Sequence, residues 1–235
     1  MKKFIVEDEF WNLFPNAKIG VVICHGIDNK IKDTDRYKKM ISEAEKDALN
    51  HIKDSDFSNN TAIKVWRDVF KKFKTKKGAR SSIEALLKRV SNGNHINSIN
   101  PLVDIYNSVS LKYAFPCGGE NIDTFVGDLK LTQAVGNENF ITLGTDTNSP
   151  PYESEIIYKD EEGAVCRCWN WRESVRTMLT EDTTNAFLCI ELIDKNRFEE
   201  FEEALQYLGE TVRENLGGSI NIGILDTAHS EIKII

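Results

Sequence analysis

The chain lacks long apolar runs, a disulfide pattern and a leader-like N-terminus. No uninterrupted apolar run approaches the ~20 residues that span a bilayer, so we expect no contact with a membrane. Five cysteines are an odd number for a chain of 235 residues and do not indicate a disulfide framework. No sustained apolar run follows the first three residues, so the sequence predicts no signal peptide and a cytoplasmic location.

The chain also has no excess of basic residues. Its formal net charge is −7 and its pI is about 5.3. This balance argues against a dedicated, high-affinity nucleic-acid binder, and we expect no DNA partner, because such proteins usually carry a basic footprint. A local basic patch remains compatible with the composition. Hydrophobic residues make up 40% and charged residues 29%, which is ordinary for a globular protein.

Cysteine and histidine are too sparsely arranged to indicate a metal site. Cys24 and His25 are neighbours in a predicted strand, so they point to opposite faces, and no third ligand lies at a familiar spacing. Cys166 and Cys168 would share one face of a later predicted strand, but two cysteines cannot complete a tetrahedral zinc site. We interpret them as small core residues. We therefore expect no metal ion and no cofactor.

Hydrophobic periodicity predicts a mixture of helices and strands. The predicted strands cover residues 3–7, 18–26, 127–135, 139–143, 155–158, 164–171, 185–193 and 220–225. The predicted helices cover residues 33–52, 63–73, 82–91, 101–113 and 196–216. No long linker separates these elements, so the sequence predicts one α+β domain over residues 1–235, with helices packed on β-sheets.

The segment 100–123 stands out within this pattern. Asn100 and Pro101 are typical of a helix start. Apolar residues then recur at helical spacing on one face, and polar residues occupy the other face, namely Asp104, Asn107, Ser108 and Ser110. Gly118 and Gly119 follow in a predicted loop. This pattern fits either a pocket wall followed by a bare backbone edge, or a buried helix with an ordinary turn.

A lysine-rich segment follows the second predicted helix. Residues 71–77 contain five lysines, and Arg80 lies just beyond them, next to the capping box that begins at Ser81. One interpretation is a solvated helix end, where lysines favour the negative pole of the helix dipole. The other is a patch that contacts phosphate groups on an otherwise acidic protein. Arg80 fits both an anion site at a helix N-terminus and a surface ion pair.

Several segments, taken in order, resemble the B3/B4 domain of the bacterial phenylalanyl-tRNA synthetase β chain. The run V-D-I-Y-N-S-V-S-L at residues 103–111 resembles the family's V-D-x-T-N-Y-V-M-L helix. Later matches lie at residues 136–144, at E-I-I-Y-K-D (155–160) and at T-E-D-T-T-N-A-F-L (180–188). Upstream, residues 66–67 and R-S-S-I-E-A-L-L (80–87) resemble free-standing B3/B4 proteins. The resemblance covers residues 60–225, preceded by an extension, 1–59, with a strand and a helix.

The resemblance implies a fold and an activity. The fold is an α+β domain with a β-sandwich-like core of mixed sheets flanked by helices. Because the domain edits in the synthetase, a free-standing copy would be a trans-editing deacylase that hydrolyses the ester of a misacylated tRNA. The partner would then be mischarged tRNA. Two hypotheses compete with it: a non-catalytic module that binds tRNA or an amino acid, and a small-molecule hydrolase that no longer binds tRNA. The amino acid, the tRNA and the oligomeric state stay open.

The same resemblance implies a set of site residues. Asn107 matches the family's pocket-facing asparagine, Gly144 its pocket-lining glycine, and Glu173 a glutamate tied to recognition of the wrong amino acid. With their neighbours, the residues predicted to bind substrate are Asn107, Tyr106, Gly144, Thr145, Asn170, Trp171 and Glu120. The residues predicted to bind tRNA phosphates are Arg80, Lys72, Lys74, Lys76 and Lys77.

The predicted chemistry needs no covalent intermediate. An aminoacyl ester is already activated, so a site must only place a water molecule and stabilise the oxyanion. The N–H groups of Gly118 and Gly119 are the predicted oxyanion donors, each worth about 3 kcal/mol in favourable cases. Glu173 is predicted to bind the ammonium group or to orient the water. No Ser-His-Asp or Cys-His arrangement is apparent in the sequence.

Two departures from the family pattern change the pocket. The histidine of the family's P-L-H-A-F-D run falls within residues 116–119, where this chain has glycine and no histidine. The run C-W-N-W-R at residues 168–172 replaces the family's G-V-M-G-G. The pocket should therefore differ in shape, and selection against tyrosine does not carry over.

Overall fold

The computed structural model describes residues 2–30 and 33–235. In these ranges the α-helices are α1 (Asp8–Leu13), α2 (Thr34–Ala48), α3 (Thr61–Val69), α4 (Ser82–Ser91), α5 (Pro101–Tyr113) and α6 (Phe198–Leu216). The strands are β1 (Lys3–Val6), β2 (Lys18–His25), β3 (Cys117–Asn121), β4 (Leu129–Gln133), β5 (Ile156–Lys159), β6 (Ala164–Arg167), β7 (Arg172–Glu173), β8 (Asn185–Leu192), β9 (Ser219–Leu225) and β10 (Glu231–Lys233).

The strands form two sheets. The larger has the order β10-β1-β4-β5-β6-β7 and mixes parallel and antiparallel neighbours, since β1 runs parallel to β4 and antiparallel to β10. The smaller sheet is antiparallel, with the order β3-β8-β2-β9. β7 and β3 are therefore edge strands, and both carry predicted site residues. Mixed sheets flanked by helices confirm the predicted α+β fold class.

Apolar side chains from both sheets fill the space between them. Phe4 of β1, Tyr158 of β5 and Phe187 of β8 pack together there, with ring centroids 4.9 to 6.5 Å apart. A second cluster joins the opposite face of the smaller sheet to α5 and α6. The order of layers is therefore large sheet, small sheet, helices.

Segment 117–121 is an edge strand, so the prediction of a loop at Gly118 and Gly119 was wrong. β3 pairs with β8 along its whole length, with Gly118 opposite Cys189 and Gly119 opposite Leu188. Both glycines are buried. The missing side chains allow close approach: a Cβ on Gly118 would lie 1.8 Å from Cδ2 of Trp171, and one on Gly119 would lie 2.4 Å from Cδ2 of Leu188.

The polar face of α5 is not an open pocket wall. Asp104 accepts hydrogen bonds from the Ser98 hydroxyl (2.5 Å) and the Ile99 N–H (2.8 Å). The Ser108 and Ser110 hydroxyls donate to main-chain carbonyl groups 2.7 and 2.6 Å away. These three polar side chains are buried, whereas Asn107 is half-buried. Most of the polar stripe therefore satisfies nearby backbone groups, which is the buried-helix interpretation.

Three other predicted elements differ from the structure. Segment 139–143 is not a strand, since it forms only an isolated bridge between Thr142 and Ser174. β6 ends at Arg167 and Cys168 has a φ of 53°, so Cys166 and Cys168 do not share a strand face, although both are buried core residues. The helix predicted over 63–73 ends at Val69, which places the lysines of 71–77 on a loop. The helix-dipole interpretation does not explain them.

Within the described ranges, none of the helices combines the length and apolar character needed to cross a membrane.

Candidate functional site

Three side chains meet between β3, β7 and α5, and we call them the carboxyl cluster: Tyr106, Glu120 and Glu173. Tyr106 donates its hydroxyl hydrogen to Oε1 of Glu173 over 3.4 Å. Glu120 is completely buried, and neither of its carboxyl oxygens has a hydrogen-bond partner among the described residues. A buried carboxyl group without partners is unusual, because its desolvation is not offset. The cluster thus offers unsatisfied acceptors, which suit a cationic or hydrogen-bond-donating ligand.

Burial raises the pKa of both carboxyl groups, and the charge of Glu173 adds to the rise at Glu120. Burial raises the pKa of Glu173 to about 7, and the Tyr106 hydrogen bond opposes this only in part. Burial and the charge of Glu173 raise the pKa of Glu120 well above its ordinary value. The Thr177 hydroxyl and then the Arg176 guanidinium oppose this rise, and that guanidinium also forms two hydrogen bonds with Asp160. Glu173 is therefore the first member of the pair to ionise as pH rises, and it is partly ionised near neutral pH.

The indole ring of Trp171 covers the Gly118 edge. Trp171 packs against Tyr158 with ring centroids 4.8 Å apart and ring planes tilted by 37°, and its Nε1–H donates to Glu191 over 3.2 Å. The ring thus occupies the space beside the glycine strand, where a bare edge was predicted. Access to Gly118 requires this side chain to move.

The segment that carries Trp171 has a strained backbone. Cys168, Trp169 and Trp171 have φ values of 53°, 47° and 57°. This left-handed region is costly for residues with a Cβ. Cys168 and Trp171 therefore follow a backbone path that glycine adopts without strain. Packing and the bonds to Glu191 hold that path.

Glu191 anchors this segment from inside the core. Its carboxyl group accepts hydrogen bonds from Tyr158 (2.7 Å), Trp169 (2.6 Å) and Trp171 (3.2 Å). Burial nevertheless raises the pKa of Glu191 to about 8, because three donors only partly replace water. A glutamate inside the apolar run N-A-F-L-C-I-E-L signalled this role, and the sequence analysis missed it.

The raised pKa of Glu191 should make the stability of the protein depend on pH. Because the folded-state pKa of Glu191 lies above the unfolded value near 4.5, the folded state binds more protons than the unfolded state between these values. The free energy of unfolding should therefore fall as pH rises from 5.5 to 8, by up to about 1.4 kcal/mol per pH unit for one such group. Glu173 adds a fall of the same sign below its pKa of about 7.

Urea titrations at several pH values test this prediction. Glu191→Gln should give a flatter dependence of unfolding free energy on pH, whatever its stability at any single pH. Glu199→Gln, at an exposed position in the first turn of α6, is the matched control. Equal slopes in wild type and Glu191→Gln would contradict the assignment.

A second feature lies on the other side of β7, and we call it the cationic cavity. Adjacent strand residues point to opposite faces, so Arg172 faces away from the carboxyl cluster that Glu173 reaches. The cavity has a volume of about 210 Å³. Its lining residues are Lys76, Lys77, Gly78, Ala79, Arg80, Phe140, Thr142, Ser149, Arg167, Cys168, Asn170 and Arg172. The cavity thus brings together Asn170 and three residues predicted to bind tRNA, namely Lys76, Lys77 and Arg80. The sequence analysis did not predict Arg172 as a site residue.

The remaining predicted residues lie elsewhere. Gly144 and Thr145 are exposed in a turn closed by hydrogen bonds to the Thr142 carbonyl oxygen. Lys72 and Lys74 are exposed and lie over the Phe14 and Tyr152 rings, at 5.7 and 5.8 Å from their centroids. None of these four residues belongs to the carboxyl cluster or lines the cationic cavity.

The described residues contain no group of three or more histidine, cysteine, aspartate or glutamate side chains that could hold a metal ion.

Comparisons with known proteins identify the family. The B3/4 domain matches residues 65–211. The phenylalanine–tRNA ligase beta subunit of Mycoplasmoides gallisepticum is 30% identical over 104 residues, which cover 44% of this chain and 13% of that protein. An N-terminal fragment of the phenylalanyl-tRNA synthetase beta subunit from Pyrococcus horikoshii aligns with a TM-score of 0.48 and 15% identity, covering 92% of this chain and 49% of the fragment. The chain thus spans only part of each relative. Since the family match extends over more than half of its residues, the chain belongs to the B3/4 domain family.

Proposed function

We propose that this protein hydrolyses the ester bond of misacylated tRNA after its release from a synthetase. Family membership supports a role linked to tRNA, since the matching relative is a phenylalanine–tRNA ligase beta subunit. One observation carries the proposal: β7 separates two sites of opposite charge. The end of an aminoacyl-tRNA has the same polarity, with an ammonium group on the amino acid and phosphates along the RNA.

Glu173 is the proposed general base. A carboxyl group with a pKa of about 7 is partly ionised near neutral pH and can accept a proton from water. Tyr106 orients it, and burial keeps the pKa of the Tyr106 hydroxyl well above its ordinary value, so the hydroxyl stays protonated. Glu120 is the proposed hydrogen-bond acceptor for the substrate's ammonium group: burial raises its pKa and favours the protonated carboxyl, whose carbonyl oxygen can still accept and has no partner among the described residues.

The reaction is a single displacement by water. Water attacks the ester carbonyl carbon and gives a proton to Glu173, and the bond from that carbon to the ribose oxygen breaks. The proton then moves to the ribose oxygen, so the products are a free amino acid and an uncharged tRNA.

The strand pairing selects one oxyanion donor. Glu191 N–H donates to Pro116, so hydrogen-bonded pairs alternate from that pair along β3 and β8. The N–H of Gly118 is then directed at β8, whereas the N–H of Gly119 is directed away from it. We therefore keep Gly119 as the proposed donor and remove Gly118.

The buried thiol groups offer no alternative nucleophile. All five cysteines are buried. Burial raises the pKa of Cys24 and of Cys168 to about 12, so both remain protonated at neutral pH. Cys168 lines the cationic cavity, yet it would attack as a weak thiol. This supports direct attack by water.

A second candidate function is binding without hydrolysis. The Trp171 ring fills the space beside Gly118, which favours a protein that holds its ligand at the cavity without admitting an ester to the cluster. A binding module would protect the ester bond from spontaneous hydrolysis.

A panel of misacylated tRNAs separates the two functions. We expect release of free amino acid from at least one member, well above the rate in buffer alone. Slower release than in buffer would indicate a binding module. Unchanged rates across the whole panel, at protein concentrations that retain tRNA on a filter, would refute hydrolysis.

A further inference from the structure

The cationic cavity gathers positively charged side chains around one space, whereas a basic surface would spread them over the protein. The loop 76–80, Asn170 and Arg172 line the cavity together. Of the described residues that line it, none is aspartate or glutamate. Positive charge therefore lines a half-open cavity, on a protein whose net charge is −7.

Only part of this positive charge is neutralised. Arg167 forms a paired contact with Glu155, with nitrogen–oxygen distances of 3.0 and 2.8 Å, so it contributes little net charge. Arg80 shares the single carboxylate of Glu84 with Arg67, at 2.9 and 2.7 Å. That group of three keeps an excess of one positive charge.

Three further cations have no carboxylate partner in the described ranges 2–30 and 33–235. The ammonium groups of Lys76 and Lys77 and the guanidinium of Arg172 are exposed, and no ion pair within 4.0 Å joins them to the described carboxylates. The backbone N–H of Arg172 donates to Oδ1 of Asn170 over 3.1 Å, which fixes Asn170 at the wall. The loop also leads into the N-terminus of α4, whose dipole adds positive potential.

The size of the cavity limits its occupant. A volume of about 210 Å³ lies below the ~300–1,000 Å³ of pockets for drug-sized ligands. It suits a phosphate group with part of the adjoining sugar. Arg172 presents the planar fork that pairs well with phosphate oxygens, and the lysines add point charges.

From these contacts we infer that the cationic cavity is a phosphate subsite, which takes the phosphate of a single nucleotide unit. The nucleotide comes from the end of an RNA chain. This inference rests on the proposed function and deepens it, because the misacylated tRNA would be held by a phosphate on the opposite side of β7 from the carboxyl cluster. A free nucleoside monophosphate carries the same chemistry and is the other source to test. The inference concerns binding alone, so it stands or fails separately from hydrolysis.

Calorimetry or NMR titration with AMP and inorganic phosphate tests the subsite. We expect AMP to bind and to perturb the amide signals of loop 76–80 and of Asn170. Lys77→Gln combined with Arg172→Gln should weaken AMP binding at least about tenfold, since a hydrogen bond to a charged group contributes enough free energy for a factor of that size. Lys38→Gln, at an exposed position on α2 outside the cavity, is the matched control and should bind AMP as wild type does.

A short single-stranded RNA with a free 3′ hydroxyl identifies the source. We expect this RNA to compete with AMP. We also expect RNA binding by the double variant to depend less on salt than binding by the wild type. Both results would support an RNA end as the ligand. If AMP binds but the RNA does not compete with it, the RNA end is excluded and a free nucleotide is the ligand. Equal AMP affinity in the wild type and the double variant, or no AMP binding at all, overturns the subsite.

Discussion

Replacement of Glu173 by glutamine should lower the rate of misacylated-tRNA deacylation by about 10²–10⁴-fold, the usual contribution of a general base. Glutamine keeps the size of the side chain and can still accept the Tyr106 hydrogen bond, but it cannot take a proton from water. The fold should persist, because the substitution removes one of two carboxyl groups that repel each other in a buried space.

The pH profile gives this prediction its specific signature. After subtraction of the uncatalysed rate, wild-type activity should rise with pH through the Glu173 pKa of about 7 and then level off, since the ionised form is the active one. Glu120→Gln should leave the position of this rise nearly unchanged, because burial, and not the charge of Glu120, raises the Glu173 pKa. Glu199→Gln serves as the exposed control. If the activity of Glu173→Gln still rises with pH in the same range, Glu173 is not the general base.

Gly118→Ala should have the largest effect on stability. The added Cβ would lie 1.8, 2.1 and 2.4 Å from three ring atoms of Trp171, so the indole must leave its position. Its ring contact with Tyr158 and its hydrogen bond to Glu191 are then lost. Overpacking of this kind costs about 1–3 kcal/mol, and more where neighbours cannot shift. Chemical denaturation should show the loss as a lower midpoint.

A double-mutant cycle isolates the contact. Trp171→Gly removes the ring and suits the φ of 57° at this position, where glycine is unstrained. In that background Gly118→Ala should cost little, which gives a coupling energy of about 1–3 kcal/mol between the two positions. The same cost in both backgrounds would show that Trp171 does not rest on Gly118 in solution.

Elements with strong periodicity were predictable from the sequence. The apolar run that forms β2, the stripes of α4 and α6, and the Asn100 and Ser81 caps follow from local rules that tertiary packing did not override. The segment 117–121 did not follow these local rules. A Gly-Gly pair is typical of a turn, but here it lies in an edge strand. Only the distant residues Trp171 and Leu188 explain that glycine pair.

The candidate site was predictable only in part, for a related physical reason. Tyr106, Glu120 and Glu173 were named from neighbouring positions and from the family pattern, and the structure brings them together. Arg172 was missed because no local pattern shows that a two-residue strand faces the loop 76–80. The sequence supplied the charges, whereas their separation into two opposite faces arises from the fold.

The segment that matches the family does not contain all the strands that complete its own sheets. β2 lies between β8 and β9, and β1 lies between β4 and β10, yet β1 and β2 precede the matched residues and β9 and β10 follow them. His25 of β2 pairs with Asn185 of β8 across 160 residues of chain. Pairings between such remote segments raise the contact order and slow folding. The stretch that matches the family and the stretch needed to complete both sheets are therefore different lengths of chain.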